Sequence, residues 1–323
     1  MRIVVTGSLA YDYLMTFPGN FQDHIVPEKL HTLTVSFLVD SMRRMRGGVA
    51  GNIAYTLALL GERPRVMASA GQDFAEYRAW MEQQGIDTAA IALLQDEFTA
   101  SCFINTDRLN NQILAFYPGA MTRSRDLSLH DLALTPDDLV VISPTDPDAM
   151  SRCASECRAL GVPFLFDPGK QTPRLSGEQI RDGLYGARYL VGNEYEFGMM
   201  SRATGMSEAE LIDSAPTTIV TRGAAGSSIY LRDGGDRIDV PVAAASEVLD
   251  PTGAGDAYLG GLVFGLARGL DLAACGRIAA LAAAYCIEHR GGQEHRYTPD
   301  EFAERYTMAF GEPLVSSPLT VDY

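Results

Sequence analysis

Asp250-Pro251-Thr252-Gly253-Ala254-Gly255-Asp256 lies between a strand-like stretch and a long helix rich in Ala, Gly and Leu. A helix starts with unpaired backbone N–H groups at the positive end of its dipole, and small residues at that point let an anion approach the main chain. Asp256 places a carboxylate on the same turn. Taken alone, the run also reads as a tight turn in which Asp250 or Asp256 caps the helix and the glycines supply unusual dihedrals. What decides between these readings is the rest of the chain.

Working outward, four further motifs stand at the ends of strand-like runs. Gly7-Ser8-Leu9-Ala10-Tyr11-Asp12 follows the apolar run Ile3–Thr6, a first core strand, and puts Asp12 just past its carboxyl end. Open α/β sheets bind ligands at that edge, and a carboxylate there can accept two hydrogen bonds from a vicinal diol. A turn or cap aspartate would explain the residue equally well by itself. Gly47-Gly48-Val49-Ala50-Gly51-Asn52 opens a helix, with glycines that allow close approach and an Asn that both donates and accepts. Asn193-Glu194-Tyr195-Glu196 follows a strand and starts another helix, where acids also favour the N-terminus on dipole grounds alone. Thr221-Arg222-Gly223-Ala224-Ala225-Gly226 ends a strand ahead of Ser227–Leu231, and its glycines could simply turn a hairpin.

In this order the five motifs resemble the signatures of the ribokinase-type (PfkB) family of carbohydrate and nucleoside kinases, over nearly the whole chain. The stretch from His31 to Asp40 followed by the Arg-rich approach to Gly47 is most similar to bacterial adenosine-kinase-like members. The resemblance implies a three-layer ribokinase-like α/β fold, a mostly parallel central sheet flanked by helices with a small β-sheet lid. Residues 1–12, 47–97 and 119–323 would form the main domain, and 13–46 and 98–118 the lid. It further implies an ATP-dependent kinase acting on the 5′-hydroxyl of a nucleoside, adenosine first. Asp256 would then be the base, with Gly253, Ala254 and Gly255 holding the transferred phosphoryl group. Asp12, Gly47, Gly48 and Asn52 would bind the substrate hydroxyls, and Phe37 or Phe116 would stack on the base. Asn193, Thr221, Gly223 and Gly226 would contact ATP. Glu196 would order water around Mg²⁺, while Asp250 and Thr252, beside the loop at Arg290–Gly292, would sit near K⁺. A ribokinase- or fructokinase-like sugar kinase, or a non-catalytic nucleoside-binding sensor on the same scaffold, remains open at this point.

Composition is consistent with these expectations. A chain of 323 residues with 46% hydrophobic content can bury a large core. The net charge of -15 opposes nonspecific binding to nucleic acid or an anionic membrane, so the expected partner is a small molecule. Cys102, Cys153, Cys157, Cys275 and Cys286 lack paired Cys-x-x-Cys spacing and read as reduced, mostly buried thiols. Cys153 and Cys157 share a helix face. No apolar run reaches membrane-spanning length and the N-terminus lacks a signal pattern, so a cytoplasmic protein is expected, as monomer or homodimer.

Strand-like runs at 3–6, 65–69, 139–142, 163–166, 189–191 and 218–221 alternate with helices near 51–60, 76–84, 148–160 and 194–201, the rhythm of a parallel sheet covered by helices. Two segments depart from it. The alternation at 32–39 reads as a strand, and 99–105 with 112–117 as a hairpin across 106–111. His289 and His295 match no zinc spacing and read as a surface loop. Arg43, Arg44 and Arg46 read either as a grip for a substrate phosphate or as a solvated face. The role of Asp167-Pro168-Gly169-Lys170 is left open.

Overall fold

The computed structural model describes residues 1–25, 27–32, 34–232 and 237–314. In chain order it begins with β1 (Ile3–Thr6), β2 (Ala10–Thr16), β3 (Ser41–Gly47), α1 (Val49–Leu59), β4 (Arg65–Gly71), α2 (Ala75–Gln83) and β5 (Ile91–Leu94). It continues through β6 (Ala100–Thr106), β7 (Gln112–Tyr117), β8 (Leu139–Ile142), α3 (Pro147–Leu160), β9 (Phe164–Phe166), α4 (Gly177–Leu184), β10 (Tyr189–Asn193), α5 (Glu194–Thr204) and α6 (Glu208–Ile212). The last elements are β11 (Thr217–Thr221), β12 (Ser227–Leu231), β13 (Ile238–Val240), α7 (Ala254–Ala267), α8 (Leu272–Ile287) and α9 (Pro299–Phe310).

Nine strands form the large sheet in the order β13-β12-β11-β10-β9-β8-β1-β4-β5. It is parallel from β11 to β5, and β12 and β13 extend it as antiparallel strands. Its central strands β1, β8 and β9 are almost wholly apolar because both faces are covered. Ile3, Val5, Leu139, Val141 and Leu165 join the core under α1, α7 and α8. Their alternates Val4, Val140, Ile142, Phe164 and Phe166 join a second core with α3, α4 and α5. Period-two alternation between two apolar layers is the three-layer fold written in side chains.

Connections leave β1 toward β4 on one side, and β8 lies on the other, so the chain reverses direction across the sheet beside β1. That is where α/β sheets bind ligands, at the carboxyl ends of the strands. The residues following β1, β8, β9, β10 and β11 all emerge on this edge.

A second, four-stranded sheet has the order β3-β2-β6-β7. The hairpin expected at 99–117 is present as β6 and β7. The strand expected at 32–39 is not. Leu33 lies outside the described residues, a 3-10 turn occupies Pro27–Thr32, and 34–39 is irregular. Phe37 packs instead on Phe17, Phe21 and His24, with ring centroids 4.8 to 5.9 Å apart. The strand that pairs with β2 is the charged stretch Ser41–Gly47, placed by its direct junction with α1. The small sheet takes in Ala10 and Gly47, slightly more chain than the sequence boundaries at 13 and 46.

Candidate active site

Helix α7 starts within the run Asp250–Asp256. Gly253 is its N-cap at φ +80° and no side chain caps it; the N–H of Ala254 donates to the carbonyl of Pro251 at 3.2 Å, which leaves those of Gly255 and Asp256 for a ligand. Asp256 sits on that turn. Close contact of α7 with α1 runs through Gly260, where a Cβ would stand 2.7 Å from the Cβ of Thr56. This approach brings two motifs of distant sequence together. Asn52 Nδ2 donates to Asp256 Oδ2 at 2.6 Å. Gly48 is the N-cap of α1, and Gly47 ends β3 opposite Ala10.

Asp12 lies on β2, in a row across the small sheet with Met45, Cys102 and Phe116. Directly paired residues project to one face, so Phe116 shares the face of Asp12. Phe37 belongs to its own aromatic cluster and is not in that row. Strand alternation also separates the three arginines. Arg43 pairs with Leu14 and shares the face of Asp12, while Arg44 and Arg46 face the other way. Arg44 is engaged by Glu76, and Arg46 stacks on Trp80 at 4.4 Å with Glu294 at 3.7 Å.

Asn193 and Glu196 form a reciprocal capping box on α5. Glu196 Oε2 accepts from the N–H of Asn193 at 2.8 Å, and Asn193 Oδ1 accepts from the N–H of Glu196 at 2.9 Å. The helix-capping reading therefore applies to Glu196 itself, and its second carboxylate oxygen is the one left for other work. Asp250 is also doubly engaged. Its Oδ1 accepts from the N–H of Thr252 and its Oδ2 from the N–H of Gly291, both at 2.9 Å. It ties the turn before α7 to the loop after α8.

Beside this turn opens an apolar cavity of about 510 Å³. Thr221, Gly223 and Gly226 line one part, and Ala254 and Gly255 another. Sequence reasoning missed the rest of its wall, including Val248, Tyr258, Ala284 and Ile287. These residues come from α7, α8 and the stretch before α7, and the run of small residues on α8 was the available signal.

Three carboxylates, Asp12, Glu196 and Asp167, converge electrostatically around Asp256. Burial raises its pKa to about 6, with Asp12 and Glu196 adding to the rise and Asn52 and Lys170 opposing it. Burial raises Asp12 and Glu196 as well, with Lys170 opposing both. Asp167 is pushed well above the ordinary carboxylate range by burial and by Glu196 and Asp256. The segment Asp167–Lys170, unassigned from sequence, thus belongs to the site, and Lys170 is the cation that faces its acids.

His295 is a correction to the sequence reading. It is fully buried rather than on a surface loop, and burial lowers its pKa to about 4. Cys153 and Cys157 are both buried, as their spacing indicated.

A doubly covered parallel sheet, a ligand edge bearing an uncapped helix N-terminus with its own carboxylate, and a second sheet facing that edge define a phosphotransferase of the ribokinase-like fold. The model of the pfkB family of carbohydrate kinases matches residues 7–299, and the chain belongs to that family, whose reaction is phosphoryl transfer to a hydroxyl acceptor. A nucleoside kinase from Burkholderia thailandensis, solved in complex with inosine, is 39% identical with a TM-score of 0.86, over 97% of this chain and 99% of that one. The same enzyme in complex with ADP-inosine gives a TM-score of 0.85 at 39% identity, covering 99% and 100%. A nucleoside kinase from Methanothermobacter thermautotrophicus is 32% identical over 97% of this chain and 98% of its own length. Among the described residues, no helix is long and apolar enough to cross a membrane.

Proposed function

We propose that this protein transfers the γ-phosphoryl group of ATP to the 5′-hydroxyl of a nucleoside, with adenosine an accepted substrate. The observation that carries the reading is Asp256, oriented by Asn52 on the first turn of α7 and flanked by the apolar cavity, with Asp12 facing it from the small sheet. The similarity to nucleoside kinases, one of them seen with inosine, supports a nucleoside over a free sugar.

In this reading the cavity receives the adenine of ATP, and the phosphates reach the loop at Thr221–Gly226 and the N-terminus of α7. Asp256 takes the proton of the 5′-hydroxyl as that oxygen attacks the γ-phosphorus, and ADP leaves. First-turn N–H groups of α7 stabilise the charge on the transferred group. Asp12 accepts from the ribose diol, assisted by Gly47, Gly48 and Asn52, and Phe116 supplies an aromatic face for the nucleobase. The small sheet acts as a lid that excludes water. Phe37 supports the lid from within.

Mg²⁺ would be held chiefly by water and substrate phosphates, which fits a site where Glu196 offers one free carboxylate oxygen. It would supply charge neutralisation between the phosphates. K⁺ would sit near Asp250 and Thr252, where the turn and the 290–292 loop meet. Turnover is expected to vanish with EDTA and to be higher in potassium than in choline salts. Equal rates in sodium, potassium and choline would remove the K⁺ assignment, and activity in EDTA the Mg²⁺ one.

Asp12→Ala is expected to raise the nucleoside KM on the order of 100-fold with little change in the KM for ATP, because it deletes two charge-assisted hydrogen bonds. An unchanged nucleoside KM would show that Asp12 does not grip the ribose. The function itself is tested by ADP release in the presence of Mg-ATP with nucleosides and sugars as acceptors.

A further inference from the structure

The loop after α8 passes beneath α1 and carries Gln293, which is 1% exposed. Its Nε2 donates to Asn52 Oδ1 at 2.8 Å and to the Tyr77 hydroxyl at 2.5 Å. Tyr77 donates its own proton to the carbonyl oxygen of Gly47 at 2.9 Å. Asn52 then donates through Nδ2 to Asp256 Oδ2.

This chain of hydrogen bonds runs in one direction. The Gly47 carbonyl can only accept and takes the Tyr77 proton, so in this arrangement the tyrosine oxygen offers a lone pair to Gln293. Gln293 must therefore present its NH₂ end. The same NH₂ meets Asn52, which must turn its oxygen to Gln293 and its NH₂ to Asp256. Burial raises the pKa of Tyr77 and keeps it a donor. Gln293 Oε1 has no partner among the described side chains, so the residue is held by its nitrogen.

We infer that Gln293 is a positioning residue: anchored by Tyr77 to the Gly47 carbonyl, it fixes the amide of Asn52 so that Asp256 Oδ2 is always an acceptor and the substrate proton goes to Oδ1. The polarity is carried over separations of 216 and 241 residues, from α2 through the 293 loop to α1. Asp12 on β2, Glu196 on α5, Asp167 and Lys170 after β9, and Cys286 on α8 also face Asp256. None of them is altered by a change at 293.

The inference rests on Asp256 as the base. Its test is the pH dependence of kcat/KM in Gln293→Glu, Gln293→Met and Tyr77→Phe. Glu at 293 presents only acceptors when ionised, so Asn52 turns its NH₂ to it and its oxygen to Asp256. The acid limb is then expected to move up by about one pH unit or more, and kcat at pH 7 to fall roughly 10- to 100-fold. Gln293→Met frees Asn52 without reversing it and should move the limb less. Tyr77→Phe removes the anchor and should shift the limb in the same direction, also by less, and it decides the matter if Gln293→Glu does not fold. Lower rates with an unmoved limb in the folded variants would show that Gln293 only packs, and would overturn the inference. Loss of activity in Asp256→Asn alongside an unmoved limb in these variants would leave the base in place and reject the relay alone. An active Asp256→Asn would instead reject the base.

Discussion

Asp256→Asn is expected to lower kcat by about 1,000-fold or more while the nucleoside still binds. The amide has the size of the carboxylate and can still accept the hydrogen bond from Asn52 Nδ2, so the first turn of α7 is preserved. It cannot take a proton. The pH profile gives the same residue a second signature. A base works only when ionised, and burial raises Asp256 to about 6, so wild-type kcat/KM should rise with pH through about 6 and level above it. That limb should be missing from the residual activity of the variant. Turnover within a few-fold of wild type, or an unchanged limb, would show that another group removes the proton.

The second large effect is expected at Gly253. It sits at φ +80°, and a Cβ there would stand 2.6 Å from Cα of Gly292. Gly253→Ala thus combines backbone strain with a collision between two main chains, neither of which can rotate away. The first-turn N–H groups of α7 would be displaced from the phosphoryl path, and losing a donor of this kind costs about 100- to 1,000-fold in kcat. Stability should fall as well, by roughly 1 to 3 kcal/mol. Thermal unfolding measured beside kcat separates the two variants, since Asp256→Asn should leave the midpoint nearly in place. Wild-type turnover in Gly253→Ala would mean that the turn does not hold the phosphoryl group.

Local chemistry explains what could be read in advance. β1 and β8 announce themselves because strands covered on both faces are continuously apolar. The glycine-rich turns at 47–48, 221–226 and 253–255 are legible because few other residues allow such close approach to the backbone. Alternation misled at 34–39, where Phe37 serves an aromatic cluster rather than a sheet face. The strand fell on Ser41–Gly47, whose arginines hide its pattern. Glu196 was legible as an acid at a helix start, but its reciprocal bond with Asn193 needed geometry. His295 and Gln293 look like surface residues in sequence, and only long-range packing against α1 and α2 buries them.

The direct test of the nucleoside assignment is coupled ADP release in Mg-ATP with adenosine, inosine, other nucleosides, ribose and fructose as acceptors. The account predicts turnover of adenosine, and kcat/KM for nucleosides at least about 100-fold above that for the free sugars, because the sugars leave the nucleobase side of the site empty. Turnover of ribose or fructose with none of adenosine or inosine would contradict it.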